Sequence, residues 1–106
     1  MYVAFLVKLT GERHKYQVKI FKQQSGKLLP ISVVKFGATG YEDYTLGTSD
    51  IQKRSYIARH KINEDWTRTG YFSAGFWSRW LLWNKRTIHE SIKDTEKRFD
   101  DIKVFI

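Results

Sequence analysis

The stretch Lys15-Tyr16-Gln17-Val18-Lys19-Ile20 decides the fold, because polar and apolar residues alternate along it. A period of two puts Tyr16, Val18 and Ile20 on one face of a strand and the polar side chains on the other. The pattern therefore predicts a half-buried antiparallel strand.

Two further strands lie on either side of this one in the sequence. Residues 2–9, YVAFLVKL, are short, apolar and rich in β-branched and aromatic types, which is typical of a buried strand. Turn residues at 24–27, Gln-Ser-Gly-Lys, precede a third strand at 31–36, Ile-Ser-Val-Val-Lys-Phe, with Pro30 at its start. A hairpin or meander results, and pairing of the second and third strands could place Lys15, Lys19 and Lys35 on one solvent face as a basic stripe.

Helices are predicted for most of the remaining chain. Ser49 is a good N-cap with Asp50 in the first turn, and the apolar face of this helix is expected to hold Ile51, Ile57, Ala58 and Ile62. Ser73 can cap a short, nearly all-apolar helix that extends to Asn84. Thr87 and Glu90 form a capping-box pattern at the start of a third helix, and residues 102–106 favour a final strand.

These elements predict an α+β fold in a single domain, residues 1–106. Its antiparallel sheet comes from the amino-terminal third, with the carboxyl-terminal strand as an optional addition. Two or three helices pack on one face, with the Trp-rich helix at the centre of the packing.

The composition excludes several classes of protein. With 42% hydrophobic and 16% aromatic residues in 106, the chain can form one compact core, which excludes a disordered polycation. The absence of Cys excludes a disulfide framework, a Cys-based zinc finger and a thiol nucleophile. No stretch approaches the ~20 apolar residues of a membrane-spanning helix, and no export signal is recognised, so we expect a soluble, unexported protein without a membrane partner.

The positive charge is concentrated near the amino terminus. Residues 1–40 hold seven Lys or Arg and one acidic residue, out of a net charge of +8 for the whole chain. Such asymmetry is typical of a protein that binds a polyanion, and a merely soluble cationic surface is the alternative. The candidate phosphate contacts are Lys15, Lys19, Lys35, Lys53, Arg54, Arg59, Lys61 and Arg79. For the helix cations a solvated face remains the alternative, because Asp50, Glu64 and Asp65 lie nearby in the sequence.

Three of the four tryptophans fall within residues 74–85, AGFWSRWLLWNK. Exposed aromatics could stack on unpaired bases, with Arg79 adding phosphate and cation–π contacts. Packing of the core is the favoured interpretation, since each buried aromatic side chain removes roughly 150–250 Å² from water. Arg79 and Trp83, four residues apart, could also stack on each other.

Enzyme signatures are weak, so we predict no catalytic residue, no metal and no cofactor. His60 and Glu64 are four apart and could share a metal ion, but no third ligand has the required spacing. The segment Gly37-Ala38-Thr39-Gly40 lacks the ending of a phosphate-binding loop and is interpreted as a turn. The adjacent pairs Glu42/Asp43 and Asp100/Asp101 are interpreted as surface charge.

Several blocks together resemble a small uncharacterised family encoded by large nucleocytoplasmic DNA viruses, including the marseilleviruses and relatives that infect algae and amoebae. The blocks are residues 36–45 (FGATGYEDYT), 56–61 (YIARHK), Trp66, 74–85 and 91–94 (SIKD). The resemblance spans about residues 15–99 and implies a viral origin and a location in the virion or at the site of infection. It carries no known catalytic residue.

The functional prediction is a nonenzymatic viral DNA-binding protein that contacts phosphates with little sequence specificity. Its expected partner is double-stranded DNA, and its expected locations are the virion and the viral factory in the host cytoplasm, with the host nucleus also open. The alternative is a virion structural or adaptor protein that binds an acidic viral or host protein, which exposure of Trp66, Tyr71 or Phe72 would favour. A metal-dependent nuclease would need a third ligand near His60. The oligomeric state stays open.

Overall fold

In the computed structural model, which describes residues 1–106, four strands form one sheet. The strands are β1 (Tyr2–Lys8), β2 (His14–Gln24), β3 (Lys27–Ala38) and β4 (Ile102–Phe105), in the spatial order β3-β2-β1-β4. β2 is antiparallel to both β1 and β3, whereas β4 is parallel to β1. The sheet is therefore mixed, because β4 follows a helix that returns the chain across the sheet, and such a crossover joins parallel strands.

Three helices follow β3 in the sequence. They are α1 (Asp50–His60), α2 (Ala74–Trp77), which continues as a π-helical segment over Ser78–Leu82, and α3 (Ile88–Arg98). The predicted caps are confirmed, since the hydroxyls of Ser49, Ser73 and Thr87 accept from the backbone N–H three residues on. The strand and helix content confirms the α+β fold class.

The helices cover one face of the sheet. Inward side chains of β1 to β4, among them Leu6, Ile20 and Phe36, form one core cluster with the Trp-rich segment and α3. Trp77 and Trp80 are buried, and their indole N–H groups donate to the carbonyls of Tyr71 and Trp66. The interpretation of this segment as core is confirmed.

The predicted apolar face of α1 is wrong. The side chains of Ile51 and Ile62 are 68% and 84% exposed, Ala58 is exposed, and Tyr56 is the only buried residue of the helix. α1 is attached by the Tyr56 ring, which stacks on Trp83, and by Lys53, whose Nζ donates to the Asn84 carbonyl at 2.6 Å. At the start of the helix, Asp50 Oδ1 accepts from the Tyr44 hydroxyl at 2.6 Å and lies 3.5 Å from Arg86 Nη2. A stacked ring and these polar contacts hold the helix, so no aliphatic stripe is needed.

No helix in the protein combines the length and the apolar character needed to cross a bilayer.

Candidate functional site

The sheet face opposite the helices, here called the open face, is basic and partly aromatic. No Asp or Glu occurs in any of the four strands, which together contain seven lysines. Strand alternation and the register direct eleven side chains outward: Val3, Phe5, Val7, Gln17, Lys19, Phe21, Ile31, Val33, Lys35, Lys103 and Phe105. Val3 is buried and the other ten are partly or fully exposed, so a face that combines cations with apolar groups meets solvent.

Three phenylalanines form the centre of the open face. The Phe5 ring meets Phe21 edge-on at 5.5 Å and stacks on Phe105 at 5.7 Å, measured between ring centroids. Phe5 is 38% exposed and Phe105 is 52% exposed. In the register Lys19 lies directly between Phe5 of β1 and Val33 of β3, so a cation adjoins the aromatic cluster.

The structure brings together two of the three lysines of the predicted stripe. Lys19 and Lys35 project from neighbouring positions of the open face, and Lys35 Nζ lies 3.3 Å from Glu12 Oε1. Lys15 is not part of the stripe. Its Nζ donates to Asp43 Oδ2 at 2.7 Å, and its side chain is only 14% exposed.

Asp43 explains the position of Lys15 and corrects the interpretation of the Glu42/Asp43 pair as surface charge. The Asp43 side chain is 2% exposed, whereas Glu42 is exposed. Its carboxylate accepts from Lys15 Nζ and from the backbone N–H of Thr45 at 2.8 Å, and so caps a short 3₁₀ turn, Tyr44–Leu46. A buried carboxylate requires a counter-ion, and Lys15 is that counter-ion.

The cations of α1 lie on the helix side of the molecule, away from the open face. Arg54, Arg59 and Lys61 are exposed and make no ion pair. Lys53 is bound to Asn84 and lies 4.4 Å from the centroid of the Tyr44 ring; burial, followed by the nearby charge of Arg79, lowers its pKa. The predicted phosphate contacts therefore divide between two surfaces.

Arg79 is half-buried in the Trp-rich segment, and its Nε is buried without a hydrogen-bond partner. Its Nη1 donates to the Trp83 carbonyl at 2.7 Å, and its Cζ lies 4.4 Å from the Trp80 ring centroid and 5.4 Å from that of Trp66. The predicted stacking on Trp83 is thus replaced by a backbone contact and by cation–π contacts with two other tryptophans.

A second candidate site is a cleft of about 600 Å³ between the end of β3, α1 and the Trp-rich segment. Its floor includes Gly37, Leu82 and Trp83, and α1 supplies polar groups along one wall. Those groups belong to Gln52, Ser55, Tyr56, Arg59 and His60.

A chain of contacts fixes the imidazole of His60 in this cleft. His60 Nδ1 lies 2.7 Å from Glu64 Oε2, and Glu64 Oε1 accepts from Trp66 Nε1 at 2.9 Å. The His60 ring stacks on Tyr56 at 4.2 Å, and Tyr56 stacks on Trp83 at 4.4 Å. Because a carboxylate only accepts, Nδ1 carries the proton and Nε2 is left free of any partner within the protein.

The pairing of His60 with Glu64 does not extend to a metal site. No group of three or more His, Cys, Asp or Glu side chains is arranged to hold a metal ion. The aromatic residues that would favour an adaptor differ among themselves, since Tyr71 is buried, Trp66 is partly buried and Phe72 is half-exposed.

The aromatic cluster of the open face was missed at the level of sequence. Phe21 follows Lys19 by two residues, so the alternation that places Lys19 on the polar face of the strand places Phe21 there as well. Phe5 lies in an apolar run that shows no alternation, and Phe105 lies in a carboxyl-terminal strand to which the pattern assigns no outward face. Only the register, which aligns β1 and β4 with β2, shows that these rings meet.

The fold and the two surfaces define a small α+β protein with a sheet covered on one side only. Residues 4–60 match DUF5754, a family of unknown function. Because the match includes more than half of the chain, the protein belongs to this family. No curated protein and no solved structure is significantly similar to it.

Proposed function

We propose that the protein binds DNA without catalysing a reaction and that the open face is the binding surface. The observation that carries the proposal is an open face with three outward lysines, no strand carboxylate and a cluster of three phenylalanines, of which Phe5 and Phe105 are exposed. The viral resemblance supports the DNA of a large DNA virus as the partner, and the virion or viral factory as the location.

Phosphate contact is assigned to the outward lysines Lys19, Lys35 and Lys103. Binding of a strand releases the counter-ions condensed on it, so affinity falls as salt rises. Lysine acts as a point charge and does not read base edges, which accounts for little sequence preference.

The phenylalanine cluster favours an unpaired strand over the duplex predicted from the sequence. Bases within a duplex are stacked on one another, and their flat faces are inaccessible to a protein side chain. On a single strand, stacking of a base on an exposed ring contributes about 1–3 kcal/mol and tolerates any base. Phe5 and Phe105, both exposed, are the rings assigned to this contact.

A second candidate, an adaptor that binds an acidic protein, is favoured by the aliphatic part of the same face. Val7, Ile31 and Val33 are exposed beside the lysines, and an acidic partner with an apolar segment would complement both. Nucleic acid is preferred because aromatic rings lie at the centre of the face.

Fluorescence anisotropy tests the proposal with a labelled single strand, a duplex of the same sequence and heparin, each titrated at increasing salt. We expect the single strand to bind most tightly, with log K falling by about 0.7 per log unit of salt for each phosphate contacted. Replacing Lys19 and Lys35 together by Glu should weaken binding by at least tenfold, about 1.4 kcal/mol. Replacing Phe5 and Phe105 together by Leu should remove the preference for the single strand.

Lys93→Glu is the matched control, since Lys93 is exposed on α3, on the opposite side of the sheet. If the Lys93 variant weakens binding as much as the Lys19/Lys35 variant, the attraction is generic and the open face is not the site. Equal binding of heparin leads to the same conclusion. Absence of binding at low salt would favour the adaptor.

A further inference from the structure

We propose that the cleft is a separate binding site for a small phosphomonoester of nucleotide size, with the phosphate held by Tyr56, Arg59 and His60. The site is distinct from the open face. α1 and the Trp-rich segment form its walls on the covered side of the sheet.

Tyr56 gives the first indication of a ligand. Its side chain is stacked between His60 and Trp83 and the residue is only 6% exposed, yet its hydroxyl makes no hydrogen bond within the protein. The buried side-chain atom that lacks a hydrogen-bond partner in this protein is Arg79 Nε. The Tyr56 hydroxyl therefore keeps contact with solvent, and Tyr56 presents a free donor where it lines the cleft. Burial, and then the charge of Glu64, raises the pKa of Tyr56, so the hydroxyl remains a donor at any physiological pH.

The charged groups that line the cleft leave one cation, Arg59, without an ion pair. Asp43 is paired with Lys15, and Glu64 is bound to His60 and Trp66. Arg59 is the one lining cation without a carboxylate partner, and guanidinium groups bind phosphate oxygens in a bidentate manner. Glu42, like Arg59, is exposed and makes no ion pair. Three carboxylates and two cations line the cleft, so a phosphate is held by local donors and not by an excess of positive charge.

His60 completes the set of polar groups. Its free Nε2 accepts from a protonated phosphate or, when the imidazole is protonated, donates to a phosphate oxygen. Three groups on neighbouring turns of one helix suit the three terminal oxygens of a phosphomonoester better than the two of a carboxylate.

The positioning of His60 depends on Gly75. A Cβ at this glycine would lie 2.7 Å from Glu64 Cδ, so only glycine lets the Glu64 side chain pack against α2 and hold the imidazole.

The volume and the apolar lining of the cleft indicate the rest of the ligand. A volume of about 600 Å³ is that of a small-molecule site, and Leu82, Trp83 and Ala74 offer apolar contact to a base or other flat body.

Isothermal titration calorimetry of the full chain tests the proposal with three probes: deoxyadenosine monophosphate, inorganic phosphate and deoxyadenosine. We expect the nucleotide to bind more tightly than phosphate, and the nucleoside to bind weakest. Tyr56→Phe keeps the stacked ring and removes only the unpartnered hydroxyl, so it should fold normally and bind the nucleotide several-fold more weakly. Arg59→Gln should weaken binding by about tenfold or more, as expected for loss of a charge-assisted hydrogen bond.

Arg54→Gln is the matched control, because Arg54 is an exposed cation of the same helix that does not line the cleft. It should bind the nucleotide like the unchanged protein. The proposal is overturned if neither phosphate nor nucleotide binds, if the nucleoside binds as tightly as the nucleotide, or if Tyr56→Phe and Arg59→Gln bind no more weakly than Arg54→Gln.

Discussion

Gly70 and Gly75 both lie against the segment that contains Glu64 and Asp65, but with different neighbours. A Cβ at Gly70 would lie 2.0 Å from the backbone carbonyl oxygen of Asp65, whereas one at Gly75 would meet the end of the Glu64 side chain. The backbone carbonyl of Asp65 cannot move aside as easily as the end of the flexible Glu64 side chain can. Gly70 is therefore required by the backbone structure, whereas Gly75 serves the cleft.

We predict that Gly70→Ala lowers the free energy of unfolding by about 2 kcal/mol or more, since the backbone around Asp65 must shift. Gly75→Ala should cost under about 1 kcal/mol, because alanine favours the helix and Glu64 can rotate away. Nucleotide affinity should nevertheless fall in Gly75→Ala, because displaced Glu64 releases His60. Urea unfolding and calorimetry measure the two effects, and equal stability losses in the two variants would contradict the distinction.

Asp43 illustrates which residues the sequence could not assign. An acidic residue next to Glu42 in a loop is typical of surface charge, and nothing in the neighbouring sequence marks it as buried. Its counter-ion Lys15 lies in β2, 28 residues earlier, and only the folded chain brings the two together. The same holds for His60, whose partner Glu64 is predictable from spacing but whose stacking on Tyr56 and Trp83 is not.

At the scale of elements, α1 buries a single side chain, the aromatic ring of Tyr56. We predict that Ile51→Gln and Ile62→Gln, at exposed positions, change the free energy of unfolding by no more than about 0.5 kcal/mol. Tyr56→Ala should cost about 3 kcal/mol or more, because a buried aromatic contact is lost and a cavity remains. Urea unfolding distinguishes these outcomes. A large loss in either isoleucine variant would restore the apolar face that the sequence predicted.

α3 is joined to the Trp-rich segment by Asp94. Burial alone would raise the pKa of this carboxyl group, but hydrogen bonds from Arg98 Nε and Asn84 Nδ2, both at 2.7 Å, outweigh it and hold the pKa below its usual 3.8. A carboxyl group with a lowered pKa in the folded state stabilises the fold above its unfolded-state pKa, and that contribution is lost as pH falls through the folded-state value.

We therefore predict that acidification below about pH 4 lowers the stability of the protein in part through Asp94. Asp94→Asn should be less stable near neutral pH and should lose less stability on acidification. Asp100→Asn is the control, since that side chain is 89% exposed. Urea unfolding between about pH 7 and about pH 3 provides the measurement, and parallel curves for the Asp94 variant and the unchanged protein would refute the assignment.

The strands and helix caps could be predicted because they depend on local signals. Alternation indicates β2, an apolar run indicates β1, and Ser49, Ser73 and Thr87 mark helix starts, whereas β4 is predicted only as an optional addition to the sheet. The direction of β4 and the buried face of α1 depend on contacts between distant segments, and local pattern does not contain them. The open face was half predicted, with its lysines assigned and its phenylalanines missed.

At the scale of the whole molecule, the sheet separates two surfaces with different chemistry. The open face offers separated point charges and flat rings, which suit an extended polymer. The cleft on the covered side brings three polar groups of α1 close together, which suits a small ligand. The predicted phosphate contacts combined residues from both sides, because a sequence gives the charge of a residue but not the side of the sheet on which its side chain lies.

We predict that the two surfaces bind independently. The Lys19/Lys35 double replacement by Glu should weaken binding of a single strand and leave nucleotide affinity unchanged, whereas Arg59→Gln should do the reverse. Effects of well-separated sites without shared partners are additive within about 0.5 kcal/mol, so a saturating nucleotide should not compete with the labelled strand. Anisotropy with and without the nucleotide measures this. Competition, or loss of both activities in either variant, would mean that one surface serves both ligands and that the strand reaches the cleft through α1.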